Sequence, residues 1–421
     1  MSTFFEWLRV TIELLIFFTI LVGIHELGHL LAAKANKIRV DAFSIGMGPT
    51  LLKKKIGETL YTLKALLVGG YVSILGEDYQ EFELTDDKGN TFSTEEVREL
   101  LETGQLEDMV DAATLSEAKK YFADLDSPRN FRNKRTWQKV SVLLAGVAMN
   151  FLSAVVVYYF LLSRTGFSFF VPSVSVPNYE PLFGELNHYG IVYTLSDEGV
   201  AKEVGLPDVG IIENINGNKV GSFAELKYYI ESNKGKDITA MACDETFPQE
   251  VGCHEYQLSV PPEGIIGIEL YSPVDVVSYK GVEKVFAGFI HPLNYIQIAI
   301  EALGNSFADA KQTGDYTQVR ANAGGPILLA QILQRLENFD ELLALFAGVS
   351  LSLVVVNLLP IPALDGGRVL LVLYEAIFKR PINKKLESKL IKWSFIFLML
   401  LMLVIFVKDI VYFDDLAKLL G

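Results

Sequence analysis

The feature that most constrains this chain is charge-free sequence in lengths that match a lipid bilayer. Residues 140–163 carry no charge and are bracketed by Lys139 and Arg164, and residues 342–364 are uncharged between Glu341 and Asp365. About 20 apolar residues cross about 30 Å of hydrocarbon as a helix, so both runs predict spans. A third uncharged run, Trp393 to Val407, is short, but Lys392 and Lys408 can snorkel and residues 410–413 extend it. The first hydrophobic stretch, roughly Phe5 to Ala33, carries Glu13, His25, Glu26 and His29. Ionisable groups inside a membrane are costly and by default mark function. No short hydrophobic stretch with a small-residue cleavage site precedes it, so it is expected to be retained. The fold class expected is therefore a polytopic α-helical membrane protein with four transmembrane helices, in keeping with 50% hydrophobic composition over 421 residues.

Lys and Arg near span ends predict orientation, because cytoplasmic flanks carry the excess. Lys34, Lys37, Arg39, Arg129, Arg132, Lys134, Arg135 and Lys139 flank the 34–139 loop, and Arg368, Lys379, Arg380, Lys384, Lys385 and Lys389 crowd 365–391. The opposite side has Arg9, Arg164, Arg335 and Lys408 at its span ends. Both termini and the 164–341 region are thus expected outside. The net charge of −14 argues against a nucleic-acid partner. Cys243 and Cys253 both fall in the expected external region, where a local disulfide is permitted and two free thiols are the alternative.

Between the first two spans, Phe43–Pro49, Glu58–Thr62 and Gly69–Ile74 alternate short apolar runs with glycines, which favours a β-rich, membrane-associated loop. From Glu77 to Asp126 the chain has sixteen Asp or Glu against four Lys or Arg, and Ser93-Thr-Glu-Glu96 has the form of a helix start. An acidic cytosolic insertion with short helices is expected there. Between about Glu185 and Tyr271 lie β-type runs at 190–193, 210–215, 237–241 and 256–260, with a turn at Asn216-Gly217 and a helix over 222–231. Such a sequence suits a small α+β module. It resembles a PDZ domain of bacterial envelope proteases, on Gly199-Val-Ala201, Gly205-Leu206 and Ile215-Asn-Gly217. Residues 273–340 read as amphipathic helices on the outer face. The expected divisions are 1–76, 77–138, 139–164 (second span), 165–272 (PDZ with flanks), 273–340 and 341–421.

His25-Glu26-Leu27-Gly28-His29 is an H-E-x-x-H sequence. Residues four apart on a helix share a face, so both imidazoles can reach one Zn²⁺ while Glu26 stands beside it to take a proton from water. Inside a span, metal ligation offsets the cost of burying these groups, whereas the alternative is a metal-free polar cluster. A catalytic zinc takes three protein ligands. His188, His254 and His291 fall in the external region, so a carboxylate is needed. Asp365, in Asn357-Leu-Leu-Pro-Ile-Pro-Ala-Leu-Asp-Gly-Gly367, stands at the matching depth, and Pro360 and Pro362 interrupt the helix as a cavity-lining segment would.

H-E-x-G-H in the first span plus N-x-x-P-x-P-x-L-D-G-G in a late one resembles the site-2 protease family, in its bacterial envelope branch of the regulator of sigma-E protease type. The resemblance implies a zinc intramembrane endopeptidase of the bacterial inner membrane. Its implied substrates are single-span proteins already trimmed by another protease, such as anti-sigma factors or remnant signal peptides. It implies that His25, His29 and Asp365 bind zinc, Glu26 is the catalytic base, and Asn357 holds substrate or the oxyanion. Gly69, Gly70, Tyr71 and Val72 would add an edge strand to unwound substrate, with Asn150 also at the substrate. One departure is Ala145-Gly-Val-Ala-Met-Asn150, where the family usually has Ala-Gly-Pro-x-x-Asn. For Gly146 and Asn150, close helix packing is as good a reading as a catalytic role. Two rivals are a membrane-anchored protease with a soluble site, using Glu95, Glu96 or Glu99 as third ligand, and a non-catalytic PDZ scaffold.

Overall fold

Charge-free runs become helices because a backbone in lipid has only itself to bond to. The computed structural model describes residues 2–77, 82, 84–85, 91–172, 176, 179–196, 198–243, 253–322, 324–336 and 338–413. Parts of the acidic stretch, 78–81, 83 and 86–90, lie outside the described residues.

In chain order the elements begin with α1 (Ser2–Ala35), β1 (Val40–Ile56), β2 (Thr59–Ile74), β3 (Leu84–Thr85), β4 (Thr91–Phe92), α2 (Thr94–Glu102) and α3 (Ala112–Asp126). Next come α4 (Thr136–Leu143), α5 (Ala145–Arg164), β5 (Ser168–Pro172), β6 (Glu185–Leu195), α6 (Val200–Glu203), β7 (Val209–Ile215) and β8 (Asn218–Lys219). They continue with α7 (Phe223–Ser232), β9 (Asp237–Cys243), β10 (Cys253–Ser259), β11 (Ile268–Ser278), α8 (Glu283–Thr313) and α9 (Thr317–Asn322). The last are α10 (Pro326–Arg335), α11 (Phe339–Asn357), α12 (Asp365–Phe378) and α13 (Lys384–Val411). Among the described residues, α1, α5, α11 and α13 are long and apolar enough to cross a membrane, as the sequence led one to expect. Trp393, Phe395, Phe397 and Leu400 of α13 point outward, as a lipid-solvated helix requires.

Two structural units divide the chain, one of Met1–Ser153, Gly325–Leu336 and Val349–Gly421, the other of Ala154–Gly324 and Glu337–Gly348. In the first unit, β1 and β2 fold on themselves. Residues 40–45 pair with 70–74 on one flank and lie beside 60–63 on the other, while 50–56 folds back on 59–64. The outer edge of residues 66–74 is unpaired among the described residues. Leu30 and Ala33 of α1, Val40 and Phe43 of β1, Val142 of α4 and Val369 of α12 share one core. Arg368 donates to Glu77 at 2.6 Å, tying the exit of β2 to the first turn of α12. Ser93 and Glu96 form the expected reciprocal cap on α2. Leu84, Val97, Leu106, Ala118 and Phe122 give the acidic segment a small core of its own.

Two expectations need correction. The second span is not one helix over 139–164, because α4 ends at Leu143 and α5 begins at Ala145. A helix end leaves carbonyls without intrahelical partners, and Val142's carbonyl is used by a histidine of α1. Nor are residues 273–278 helical. The β-branched Val274, Val276 and Val277 carry β11 on through Pro273, where they pair with β6 on one side and β5 on the other.

In the second unit the sheet runs β10-β9-β7-β6-β11-β5, with β8 beside β7. Its core gathers Ile191, Tyr193, Ile212, Leu226, Ile238 and Leu258. Cys243 and Cys253, opposite each other on β9 and β10, form a disulfide. His291 of α8 is 4% exposed, against Tyr158, Phe169 and Tyr279, with Nδ1 3.3 Å from the Tyr279 hydroxyl.

Burial lowers the His291 pKa from 6.5 to about 3. Above pH 6.5 both folded and unfolded chains keep it neutral. Below that value the unfolded chain takes up a proton that the fold refuses, so stability falls with pH by about 1.4 kcal/mol per unit at most. Once the slower intrinsic exchange at lower pH is divided out, amide protection in β11 and α8 should therefore fall between pH 6.5 and 4.5, and His291→Phe should flatten that slope. An unchanged slope in the variant would assign the pH response to another group.

Candidate metal centre

His25 and His29 lie one turn apart on α1, so the helix itself brings the rings together, with centroids 4.8 Å apart. Their Nε2 atoms are 3.1 Å from each other. Asp365 is the first residue of α12, after a non-helical stretch from Leu358 to Leu364. Its Oδ2 lies 3.1 Å from His25 Nε2 and 3.6 Å from His29 Nε2. Gly366 and Gly367 make this return possible, since a Cβ at either would run into the carbonyls of Leu358 and Ile361.

These atoms fit a zinc ion. Two ligand atoms of a tetrahedral site, each ~2 Å from the metal, stand about 3.3 Å apart, and the three donors form a triangle of that size. His29 Nδ1 is 2.8 Å from the carbonyl of Val142, which can only accept, so Nδ1 carries the hydrogen and Nε2 presents a lone pair. Asp365 Oδ2 is buried, and apart from the two imidazoles no donor among the described residues faces it. Lone pairs converging on one point repel one another unless a cation sits between them.

Gly146, at the start of α5, faces the same point. A Cβ there would lie 2.5 Å from His29 Nε2 and 2.6 Å from His25 Nε2. Asn150, one turn on and fully buried, brings its Nδ2 to 3.3 Å from His25 Nδ1. Gly28 packs against the backbone of Ala145 and the side chain of Met149, so α1 and α5 approach closely there.

Glu26 is next to His25 in sequence and beside β2 in space. Its carboxylate accepts from the backbone N–H of Val72, and a Cβ on Gly70 would stand 3.7 Å from its Cγ. Gly69 adopts a positive φ of 72° at the turn into this stretch, and Tyr71 is exposed. The hydroxyl of Thr19 of α1, which nothing in the sequence singled out, lies 2.6 Å from the carbonyl of Leu67 and 2.7 Å from that of Leu15, so its one hydrogen is shared between the strand near Glu26 and its own helix. The structure thus gathers His25, Glu26, His29, Asp365, Gly146, Asn150 and the Gly70–Val72 edge. Asn357 ends α11, and its side chain makes no hydrogen bond to that group. The only other described cluster of metal-ligand type includes the two disulfide cysteines, and Glu95, Glu96 and Glu99 join neither.

Two imidazoles and a carboxylate converging within a four-helix membrane protein, with a glutamate beside them, define the class as a membrane zinc metalloprotease. Residues 13–401 match the model of Peptidase family M50, and the chain belongs to that family, the site-2 protease family of the resemblance. It is similar to the "Regulator of sigma-W protease RasP" of Bacillus subtilis, 30% identical over 96% of this chain and 99% of that one. The "Zinc metalloprotease RasP" of Bacillus licheniformis is 28% identical, again over 96% and 99% of the two chains. Zinc is the cofactor of this enzyme, and a non-catalytic scaffold is excluded.

The space at Gly146 generates a test. Gly146→Ala should place a methyl group among the ligand nitrogens and cut zinc content and cleavage together, while α5 still forms, since alanine is a better helix former than glycine. Zinc measured by atomic absorption on the folded variant decides it, and full occupancy would show that the histidines have room to move.

Proposed function

We propose that this enzyme cuts single-span membrane proteins within the bilayer, with His25, His29 and Asp365 as the zinc ligands and Glu26 as the base. The observation that carries this reading is the position of Glu26 between the three-donor cluster and an unpaired strand edge. Zinc, when bound, lowers the pKa of water and polarises a carbonyl. The Glu26 carboxylate accepts the proton of the attacking water and returns it to the leaving amine. A transmembrane helix hides its carbonyls in its own hydrogen bonds, so the substrate must unwind locally before attack. Residues 69–72 supply replacement partners by strand addition, and glycines at 69 and 70 keep side chains off the approach. Asn357, at the end of α11, holds the substrate backbone or the oxyanion.

The sheet of the second unit is read as the PDZ domain, on Gly199-Val-Ala201, Gly205-Leu206 and Ile215-Asn-Gly217. In the orientation argued from Lys and Arg, this domain and both termini are external and the metal centre is near the cytoplasmic side. A folded external domain excludes bulky substrates, which favours proteins pre-cleaved by another protease. Anti-sigma factors and remnant signal peptides are the substrate classes of this reading, in keeping with a relative named "Regulator of sigma-W protease RasP". The cellular site is the bacterial inner membrane.

Glu26→Gln should keep zinc and fold but abolish cleavage, because it removes only the proton acceptor. Membranes from cells carrying this variant should accumulate truncated single-span proteins, detected by quantitative proteomics. Accumulation of soluble substrates instead would overturn intramembrane cleavage, and retained activity would overturn the base.

Thr19→Val keeps the side-chain shape but leaves the Leu67 carbonyl without its hydroxyl donor. With a net hydrogen bond worth ~1 kcal/mol, KM for a transmembrane substrate should rise about fivefold with kcat little changed. A fall in kcat alone would detach the strand edge from substrate binding.

A further inference from the structure

An imidazole that holds a cation through Nε2 must carry its hydrogen on Nδ1, and that hydrogen needs an acceptor. Where the acceptor is fixed, the tautomer and the ring orientation are fixed with it. For His29 the acceptor is the carbonyl of Val142, at 2.8 Å. No backbone carbonyl serves His25 in that way. The group facing its Nδ1 is the side-chain amide of Asn150, at 3.3 Å through Nδ2.

With the amide turned this way, Nδ2 donates and Nδ1 must accept. The His25 hydrogen then sits on Nε2, directed at Asp365 Oδ2, 3.1 Å away. That tautomer offers no lone pair to a metal. The same orientation leaves Asn150 Oδ1 buried with no hydrogen-bond partner. Half a turn of the amide exchanges the two atoms within one envelope. Oδ1 then accepts from Nδ1–H, the buried oxygen gains a partner, and Nε2 is freed.

The backbone that carries this amide is held independently. The carbonyl of Asn150 accepts from the hydroxyls of Ser153, at 2.8 Å, and Ser350, at 3.0 Å, and the two hydroxyls lie 3.0 Å apart. Asn150 and Ser350 are both fully buried. The amide can therefore turn about its own axis without α5 shifting against α11.

We infer that Asn150 is a positioning residue for His25, whose side-chain carbonyl sets the metal-binding tautomer by accepting from Nδ1–H. It acts through the ligand and not on the substrate. This rests on the ligand set proposed above, and the experiment keeps the two separable. Full-length protein in detergent is stripped of zinc and titrated with zinc alone against a chromophoric chelator. Asn150→Leu, similar in size but with no acceptor, should weaken zinc binding about 10- to 100-fold, the usual effect of losing a ligand's outer partner. Asn150→Asp, an acceptor that needs no rotation, should bring affinity back to within about threefold of wild type.

His29→Ala is the control. Loss of zinc in His29→Ala with wild-type affinity in Asn150→Leu overturns this inference alone, whereas retained zinc in His29→Ala overturns the ligand set and this inference together. Equal losses in the Leu and Asp variants, both folded by circular dichroism, would also overturn it, since shape and not the acceptor would then matter. A second readout does not depend on the Leu variant folding. ¹⁵N spectra of histidine-labelled wild-type protein should show one imidazole change from an Nε2–H to an Nδ1–H tautomer on zinc addition, and an unchanged tautomer overturns the proposal.

Discussion

Two imidazole nitrogens and a carboxylate oxygen facing one point among apolar helices are the constraint on which the rest of this structure depends. With His29 Nδ1 committed to Val142, a hydrogen on His25 Nε2 faces two acceptors at once, His29 Nε2 and Asp365 Oδ2, each 3.1 Å away. A divalent cation turns that competition into ligation. Unshielded polar groups in hydrocarbon cost several kcal/mol each, so the cluster would be a liability in any other role. The helices are arranged around this requirement. α1 supplies two of the proposed ligands from one face, α4 ends where its carbonyl can hold the second of them, and α12 begins on the third.

Bringing those helices close enough demands that side chains be absent at particular places. Gly28 meets the backbone of Ala145, Gly146 leaves room for the ligand nitrogens, and Gly366 and Gly367 let a proline-interrupted segment fold back on itself. In lipid there is no hydrophobic drive to press helices together, so close backbone approach and interhelical hydroxyl bonds do that work. The Ser350 hydroxyl donating to the Asn150 carbonyl is one such bond between α11 and α5. Asp409 is another case of a buried ionisable group with partners to match. It accepts from the Leu328 N–H at the start of α10 and lies 2.8 Å from Lys408 Nζ.

How much of this was legible follows from the range over which each signal acts. The four spans and the H-E-x-x-H face are local patterns, and so is the Ser93–Glu96 cap; all were readable. Asp365 was readable because prolines and glycines surround it. Four strands of the second unit are visible from their apolar alternation, but β5 and β11 are not, because each is short of local turn signals and pairs with strands distant in sequence. The disulfide is only permitted by the sequence, since a spacing of ten residues does not show that two strands set the cysteines opposite each other. Thr19 and the carbonyl of Val142 carry no sequence signal at all. A threonine in an apolar helix and a valine backbone oxygen become functional only through what packs against them.

The absence of proline at Val147 shows how the same packing can be reached by another route. In the family pattern Ala-Gly-Pro-x-x-Asn, a proline there would sit in the first turn of α5, where a missing N–H costs nothing and φ is already helical. Here the helix is interrupted one step earlier, at Leu144, so α5 has its fresh start without the ring. Val147 is buried, so the position still contributes apolar packing. What the turn must deliver is a glycine facing the ligands and an asparagine one turn later facing His25. Both survive the substitution, since residues at i and i+4 keep a common face whether or not a proline stands between them. The departure from the pattern therefore alters how the helix begins and leaves what it presents unchanged.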